Sequence, residues 1–196
     1  SSRLIEVIAE RLAHYGAANV VVDPVMGDYG RVYQTYTAAM CSGMARLAEL
    51  ADVITPNLTE AALLLGQPYE TLPAGEAGLR EITERLSLGG RRSVGLAGAS
   101  LAPGRTGAVC FDARTGKTEA VQTAYVAHEF HGTGYVFSSV LTGALVRGES
   151  LSSAAGEAAA FVRACAERTA AEDLPMREGV DFEPLLGLLI PGKETV

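Results

Sequence analysis

Short runs of β-branched residues alternate with segments of helical periodicity along most of this chain, and a proline follows each of the first two runs. The run over residues 20–22 precedes Asp23 and Pro24, and the run over residues 53–55 precedes Pro56. Apolar runs this short are typical of strands buried on both faces. Strands that alternate with helices favour a parallel or mostly parallel sheet covered by helices on both sides. The sequence therefore predicts an α/β fold.

The remaining elements follow from periodicity and from glycine and proline positions. Helices are predicted over residues 2–15, 36–50, 57–65, 76–87, 135–147, 151–170 and 182–189. A third strand is predicted over residues 93–97, and a β-hairpin or meander over residues 106–126. Ligands in such folds bind beyond the C-terminal ends of the strands, so polar residues at those ends are the first candidates for function.

Length and composition narrow the class of protein. A chain of 196 residues with 48% hydrophobic residues is best explained as one globular domain. The net charge of −7 argues against nucleic-acid binding, and no uninterrupted apolar run reaches the length of a membrane span. Three widely spaced cysteines argue against a disulfide framework or a zinc site. The first residues lack the pattern of a signal peptide, so we expect a cytoplasmic location.

Two strand ends carry residues that could serve either structure or chemistry. Asp23 either caps a turn, as in many Asp-Pro segments, or holds a hydrated Mg²⁺ near phosphates. Asn57 follows the second strand and begins a helix, with Glu60 three residues later as in a capping box. Capping alone would account for both residues. The functional alternative has Asn57 bind a phosphate and Glu60 a metal ion.

A glycine-rich loop precedes the helix predicted over residues 135–147. Gly132, Thr133 and Gly134 leave backbone N–H groups open at a helix start, and their small size lets an anion approach closely. A flexible loop capped by the threonine is the alternative, because a lone Gly-x-Gly is a weak signal. His128 and His131 lie three residues apart, but the sequence offers no third ligand near them, which argues against a metal site there.

The order and context of these segments resemble the pyridoxal/pyridoxamine kinases of the ribokinase-like superfamily. The matching segments are residues 21–28 with Gly30 and Tyr33, residues 51–61, residues 131–134 with Phe137, and residues 179–183. The resemblance implies a three-layer α/β/α sandwich with a mostly parallel central sheet. It also implies ATP-dependent phosphorylation of the hydroxymethyl group of pyridoxal, pyridoxamine or pyridoxine, as in vitamin B6 salvage. We expect residues 1–196 to form a single kinase domain, the C-terminal portion of a family-length chain without its N-terminal strands.

The same resemblance implies roles for individual residues. Mg²⁺, a K⁺ or Na⁺ ion and ATP as co-substrate are implied, together with a B6 vitamer as acceptor and a homodimeric assembly. The residues implied at the metal ions are Asp23, Thr55 and Glu60. The residues implied at ATP are Asp23, Tyr33, Asn57, Glu60 and Thr133. Gly132, Thr133 and Gly134 match an anion hole, which suits phosphoryl transfer because that reaction depends on positioning and charge neutralisation.

One position departs from the family pattern. The family loop reads Gly-Thr-Gly-Asp, and its aspartate takes the proton from the acceptor hydroxyl. Tyr135 stands at that position here, and a phenol with a pKa of about 10 stays protonated at neutral pH, where a carboxylate is ionised. Tyr135 therefore marks the catalytic position without supplying a base. Two alternatives stay open: a non-catalytic relative that binds a nucleotide or a partner, and a hydroxymethylpyrimidine kinase, over which Gly27 and Asp28 favour the vitamin B6 branch.

Overall fold

A computed structural model describes residues 1–16, 18–127, 130–172 and 178–190 of the chain. Within these residues, seven strands and six α-helices follow one another, and the two short strands over residues 27–28 and 31–32 were not among the predicted elements. In chain order they are α1 Ser2–Tyr15, β1 Val21–Val22, β2 Gly27–Asp28, β3 Arg31–Val32, α2 Ala38–Glu49, β4 Val53–Ile54, α3 Leu58–Leu65, α4 Gly75–Leu86, β5 Ser93–Ala97, β6 Arg105–Asp112, β7 Lys117–Ala124, α5 Thr133–Val146 and α6 Leu151–Ala171. Two 3₁₀ segments, Tyr69–Thr71 and Glu183–Leu189, complete the described elements.

The central sheet is mixed. Its strand order is β1-β4-β5-β6-β7, and β2 pairs with β3 in a separate two-stranded ribbon. The pairs β1–β4 and β4–β5 are parallel, whereas β5–β6 and β6–β7 are antiparallel. The α/β class and the predicted hairpin are confirmed, but the parallel part extends only over β1, β4 and β5. The reason is the length of the two connections, because residues 98–104 between β5 and β6 and the Asp112–Lys117 turn between β6 and β7 are too short for the crossover that a parallel pair requires.

Helices bury both faces of this sheet, which gives the three layers expected of the fold. One core cluster joins α5 and α6 to the sheet through residues such as Phe137, Leu141 and Phe161. The other joins α1, α2 and α4 to the opposite face through residues such as Leu47 and Ile82. Ala154, Ala155 and Ala158 of α6 are fully buried, so this face of the helix packs close to the strands.

The predicted boundaries of the α-helices lie within two residues of the observed ones, and two segments show how the structure refines the prediction. Helix α5 begins at Thr133, two residues before its predicted start, because Gly132 adopts a left-handed conformation (φ 85°) immediately before it. The segment expected to be a last short helix is a 3₁₀ helix with a proline in its first turn. Cys41, Cys110 and Cys165 are free thiols, as the sequence predicts. Within the described residues, no helix is long and apolar enough to cross a membrane.

Candidate active site

Asp23 lies directly after β1, on the side of the sheet where the C-terminal ends of the parallel strands lie. The Ser138 hydroxyl of α5 is 3.3 Å from Asp23 Oδ2 and donates a hydrogen bond to it. Burial raises the pKa of Asp23 from 3.8 to about 6, while the hydroxyls of Ser138 and Thr55 partly offset this rise. The structure thus joins the end of β1 to the first turns of α5, which are 115 residues apart in sequence.

Glu60 lies in the first turn of α3 and is 3% exposed. Its two carboxylate oxygens accept hydrogen bonds from the backbone N–H groups of Met26 (3.1 Å) and Asn57 (2.8 Å). Desolvation raises the pKa of Glu60 to about 7, and the negative charge of Asp23 adds to the rise, whereas the backbone N–H groups oppose it. Glu60 therefore fixes the loop after β1 against the start of α3.

Asn57 caps α3 as the sequence predicts, and the capping box with Glu60 is complete. Its Oδ1 accepts from the Glu60 N–H at 2.9 Å, and its Nδ2 donates to the Gly27 carbonyl at 2.9 Å. Only one amide hydrogen is left to meet a phosphate. The capping interpretation accounts for the geometry of Asn57, and its phosphate role stays a prediction.

The β2–β3 ribbon covers this region and depends on a glycine. A Cβ on Gly27 would lie 2.3 Å from the carbonyl oxygen of Arg31, which is far inside normal contact. At the tip of the ribbon, the Gly30 N–H donates to Thr59 Oγ1 at 2.9 Å. The ribbon is therefore fastened to α3, and it leads directly to Tyr33, whose N–H donates to the Met26 carbonyl at 3.0 Å.

The N-terminus of α5 has the features of an anion site. Among the described residues, no side chain caps this helix, and its first turn contains no acidic residue. Apart from the adjoining residues and the backbone of the helix itself, no described atom lies within 4 Å of where a Cβ on Gly132 or Gly134 would stand. The C-terminal segment is bonded to the loop that precedes α5, because the Val180 N–H donates a hydrogen bond to the His131 carbonyl at 3.2 Å. His128 lies outside the described residues.

Three tyrosines border the two carboxylates. Tyr33 and Tyr135 are 43% and 60% exposed, and Tyr36, three residues after Tyr33, is half-buried. Burial raises the pKa of Tyr33 and of Tyr36, and the charges of Asp23 and Glu60 add to both rises. Tyr36 and Ser138 were not among the site residues predicted from the sequence. The only signal for Ser138 was its position one helical turn beyond the glycine loop.

The oxygen atoms of this site suit a Mg²⁺ ion that keeps several water ligands better than one bound by protein side chains alone. Thr55 is 3% exposed, and its Oγ1 forms no hydrogen bond of normal geometry with any described residue. This oxygen still lies close enough to Asp23 to lower the pKa of that carboxyl, so the pair offers one carboxylate and one hydroxyl. No group of three acidic, histidine or cysteine side chains in the described ranges could hold a metal. Mg²⁺ completes such sites with water and substrate phosphates, and Asp23 with Thr55 would supply the protein ligands.

An apolar groove of about 320 Å³ lies between α5, α6 and the C-terminal 3₁₀ helix. Its lining residues include Tyr135, Ser139, Val140, Phe161, Phe182 and Leu186. Tyr135 is the residue shared with the carboxylate site. The groove carries little polar surface, so it does not itself provide the groups that phosphate or Mg²⁺ requires.

Comparison with known proteins identifies relatives of two named activities. The phosphomethylpyrimidine kinase family matches residues 1–179. The hydroxymethylpyrimidine/phosphomethylpyrimidine kinase of Haemophilus influenzae is 30% identical, over 84% of this chain and 61% of that protein. The pyridoxine kinase of Bacillus subtilis is 29% identical, over 90% of this chain and 63% of that protein. The chain thus spans less than two thirds of the length of these curated relatives.

Solved structures share the fold along most of the chain. A Bacteroides thetaiotaomicron protein assigned as a phosphomethylpyrimidine kinase, crystallised with pyridoxal, superposes with a TM-score of 0.89 and 31% identity, covering 99% of this chain and 69% of that one. An ADP complex of Bacillus subtilis pyridoxal kinase superposes with a TM-score of 0.68 and 27% identity, covering 84% of this chain and 59% of that one. With the ribokinase-like α/β fold in common and residues 1–179 matched, this chain belongs to the phosphomethylpyrimidine kinase family.

Proposed function

We propose that this chain forms the nucleotide-binding side of an ATP-dependent kinase that phosphorylates the hydroxymethyl group of a B6 vitamer. The observation that carries the proposal is the contact between Ser138 and Asp23, which brings a carboxylate to the start of α5, where no described side chain forms a cap. A carboxylate for Mg²⁺ beside open backbone N–H groups is the arrangement that phosphoryl transfer requires. The kinase names of the relatives support the same class of reaction.

Each group in this proposal has a distinct task. The N–H groups at Gly132–Gly134 would bind the oxygens of the phosphoryl group, where the helix dipole favours negative charge. Asp23 and Thr55 would hold Mg²⁺, which supplies charge neutralisation for the triphosphate when it is bound. Glu60 would shape the site by holding the Met26 backbone in place, because both of its oxygens are already engaged. Tyr33 would cover the nucleotide from the ribbon side.

The acceptor is proposed to be a pyridine rather than a pyrimidine. Gly27 and Asp28 follow the Asp23 segment in the pattern of the vitamin B6 branch, and the neighbour crystallised with pyridoxal supports the same ring. A hydroxymethylpyrimidine is the second candidate, since a relative at 30% identity carries that activity in its name. Both acceptors present a hydroxymethyl group on a flat nitrogen heterocycle, so competition between them separates the two.

Tyr135 favours a third candidate, nucleotide binding without turnover. Its exposed phenol stands in the first turn of α5, at the position where the resemblance places an aspartate base. Loss of a positioned general base typically lowers the rate about 10²- to 10⁴-fold. The proposed kinase activity of this chain is therefore slow, and binding of Mg²⁺-ATP is the property to measure first.

Calorimetric titration of the 196-residue chain with Mg²⁺-ATP tests the proposal. We expect binding that Asp23→Asn weakens about 10-fold or more, because a ligand of the metal is lost. Asp28→Asn is the matched control, since Asp28 is exposed on the ribbon five residues away. Absence of binding at millimolar Mg²⁺-ATP would contradict the proposal, and so would equal losses in the two variants. A homodimer in the cytoplasm stays a prediction, and sedimentation of the chain checks the dimer.

A further inference from the structure

We propose that Ser138 is a positioning residue that holds the Asp23 carboxylate against the anion-binding start of α5. The inference rests on the proposed function, because it assumes that Asp23 binds Mg²⁺ with ATP. It adds a residue to the site that neither the motifs nor the comparisons assign. The geometry of one hydroxyl group carries it.

The Ser138 hydroxyl lies between two acceptors. Its Oγ is 3.3 Å from Asp23 Oδ2 and 3.2 Å from the carbonyl oxygen of Tyr135. A serine has a single hydroxyl proton, so it donates fully to one acceptor at a time. The bond to Tyr135 is a local one within a helix, whereas the bond to Asp23 connects two elements that are remote in sequence. An ionised carboxylate is the stronger acceptor of the two.

Asp23 has limited backbone support for its orientation. It follows a strand of only two residues, and that strand is at the edge of the sheet, where it pairs with β4 alone among the described strands. The neighbouring Thr55 hydroxyl lacks a hydrogen bond of normal geometry to the described residues. Thr55 still lies close enough to lower the pKa of Asp23, but among the described side chains it is the Ser138 hydroxyl that donates a hydrogen bond of normal geometry to the carboxylate. That bond connects the proposed metal ligand to the helix whose first N–H groups are proposed to bind phosphate.

A structural role alone would give a different result from a positioning role. Removing a hydroxyl that only stabilises α5 would lower stability without a selective change in metal affinity. Removing a hydroxyl that orients Asp23 would weaken metal binding in the nucleotide complex, and a side chain that keeps the hydroxyl would restore it. The adjacent Ser139 is exposed and lines the apolar groove instead, so it provides a matched control on the same helix.

The test compares Ser138→Ala, Ser138→Thr and Ser139→Ala with the wild-type chain. Mn²⁺ replaces Mg²⁺, and its binding in the presence of saturating ATP is followed by the loss of the free-ion electron paramagnetic resonance signal. We expect Ser138→Ala to weaken Mn²⁺ binding about 3- to 10-fold, as the loss of one hydrogen bond of ordinary strength implies. Ser138→Thr should lie within about 2-fold of wild type, and Ser139→Ala should equal it.

The outcomes separate this inference from the proposed function. If the wild-type chain binds Mn²⁺-ATP and Ser138→Ala binds it equally well, the inference is wrong while the proposed function stands. Equal weakening in Ser138→Ala and Ser139→Ala, or failure of the threonine to restore affinity, also overturns it. If the wild-type chain itself binds no Mn²⁺ with ATP, the proposed function fails and this inference fails with it.

Discussion

Replacing Asp23 by asparagine should make the metal-free protein more stable at high pH. Burial raises the pKa of Asp23 from 3.8 to about 6, so the folded protein holds this proton more tightly than the unfolded chain does. A group of this kind contributes stability that is fully present below its unfolded pKa and is lost as the pH rises through its folded pKa. Asparagine has no proton to lose, so the variant should escape this part of the loss.

The size of the effect follows from the pKa. One pKa unit corresponds to about 1.4 kcal/mol, which gives a full effect of about 3 kcal/mol for Asp23. Because Asp23 keeps some contact with solvent, screening reduces this figure, and we expect about 2 kcal/mol. The free energy of unfolding of Asp23→Asn, relative to wild type, should therefore increase by about 2 kcal/mol between pH 4 and pH 8.

Urea denaturation in the presence of a chelator measures this difference, with Asp28→Asn as the exposed control. Mg²⁺ and ATP should then stabilise the wild-type chain at pH 8 and narrow its gap to Asp23→Asn, because a ligand that binds the folded state raises its stability. A stability difference that does not change with pH would refute the reasoning. It would mean that ionisation of the partly buried Asp23 carboxyl does not lower the free energy of unfolding.

Three further changes have expected outcomes. Tyr135→Asp should raise phosphoryl transfer to pyridoxal about 10²-fold or more, measured as ADP release, and an unchanged rate would exclude the lost base as the limit. Gly27→Ala should destabilise the chain by more than about 2 kcal/mol in urea denaturation, because the added Cβ would collide with the Arg31 carbonyl. If the variant is as stable as the wild-type chain, the ribbon can shift to make room for the Cβ. Arg92→Met should lower the free energy of unfolding by about 2 to 4 kcal/mol, because the buried guanidinium donates to two backbone carbonyls. A smaller loss of stability in thermal melts would mean that water replaces those hydrogen bonds.

The local elements of this protein could be predicted because neighbouring residues determine them. The capping box at Asn57 and Glu60 follows from two residue types three positions apart, and the structure has both of its hydrogen bonds. The start of α5 beyond Gly132 follows from the conformational freedom of glycine. The predicted hairpin became β6 and β7 because its turn and its strands are contiguous in sequence.

The composition of the candidate site depended on contacts between distant segments. Periodicity assigns Ser138 to α5, but only the packing of α5 on the sheet brings its hydroxyl to Asp23. Sequence likewise could not show that Asn57 donates an amide hydrogen to the Gly27 carbonyl, or that the buried Thr55 hydroxyl forms no hydrogen bond of normal geometry with the described residues. Short-range rules act on residues a few positions apart, whereas burial and long-range hydrogen bonds are decided when the layers close around the sheet. The sequence by itself determined the elements and their order, and the tertiary structure decided which side chains meet at their ends.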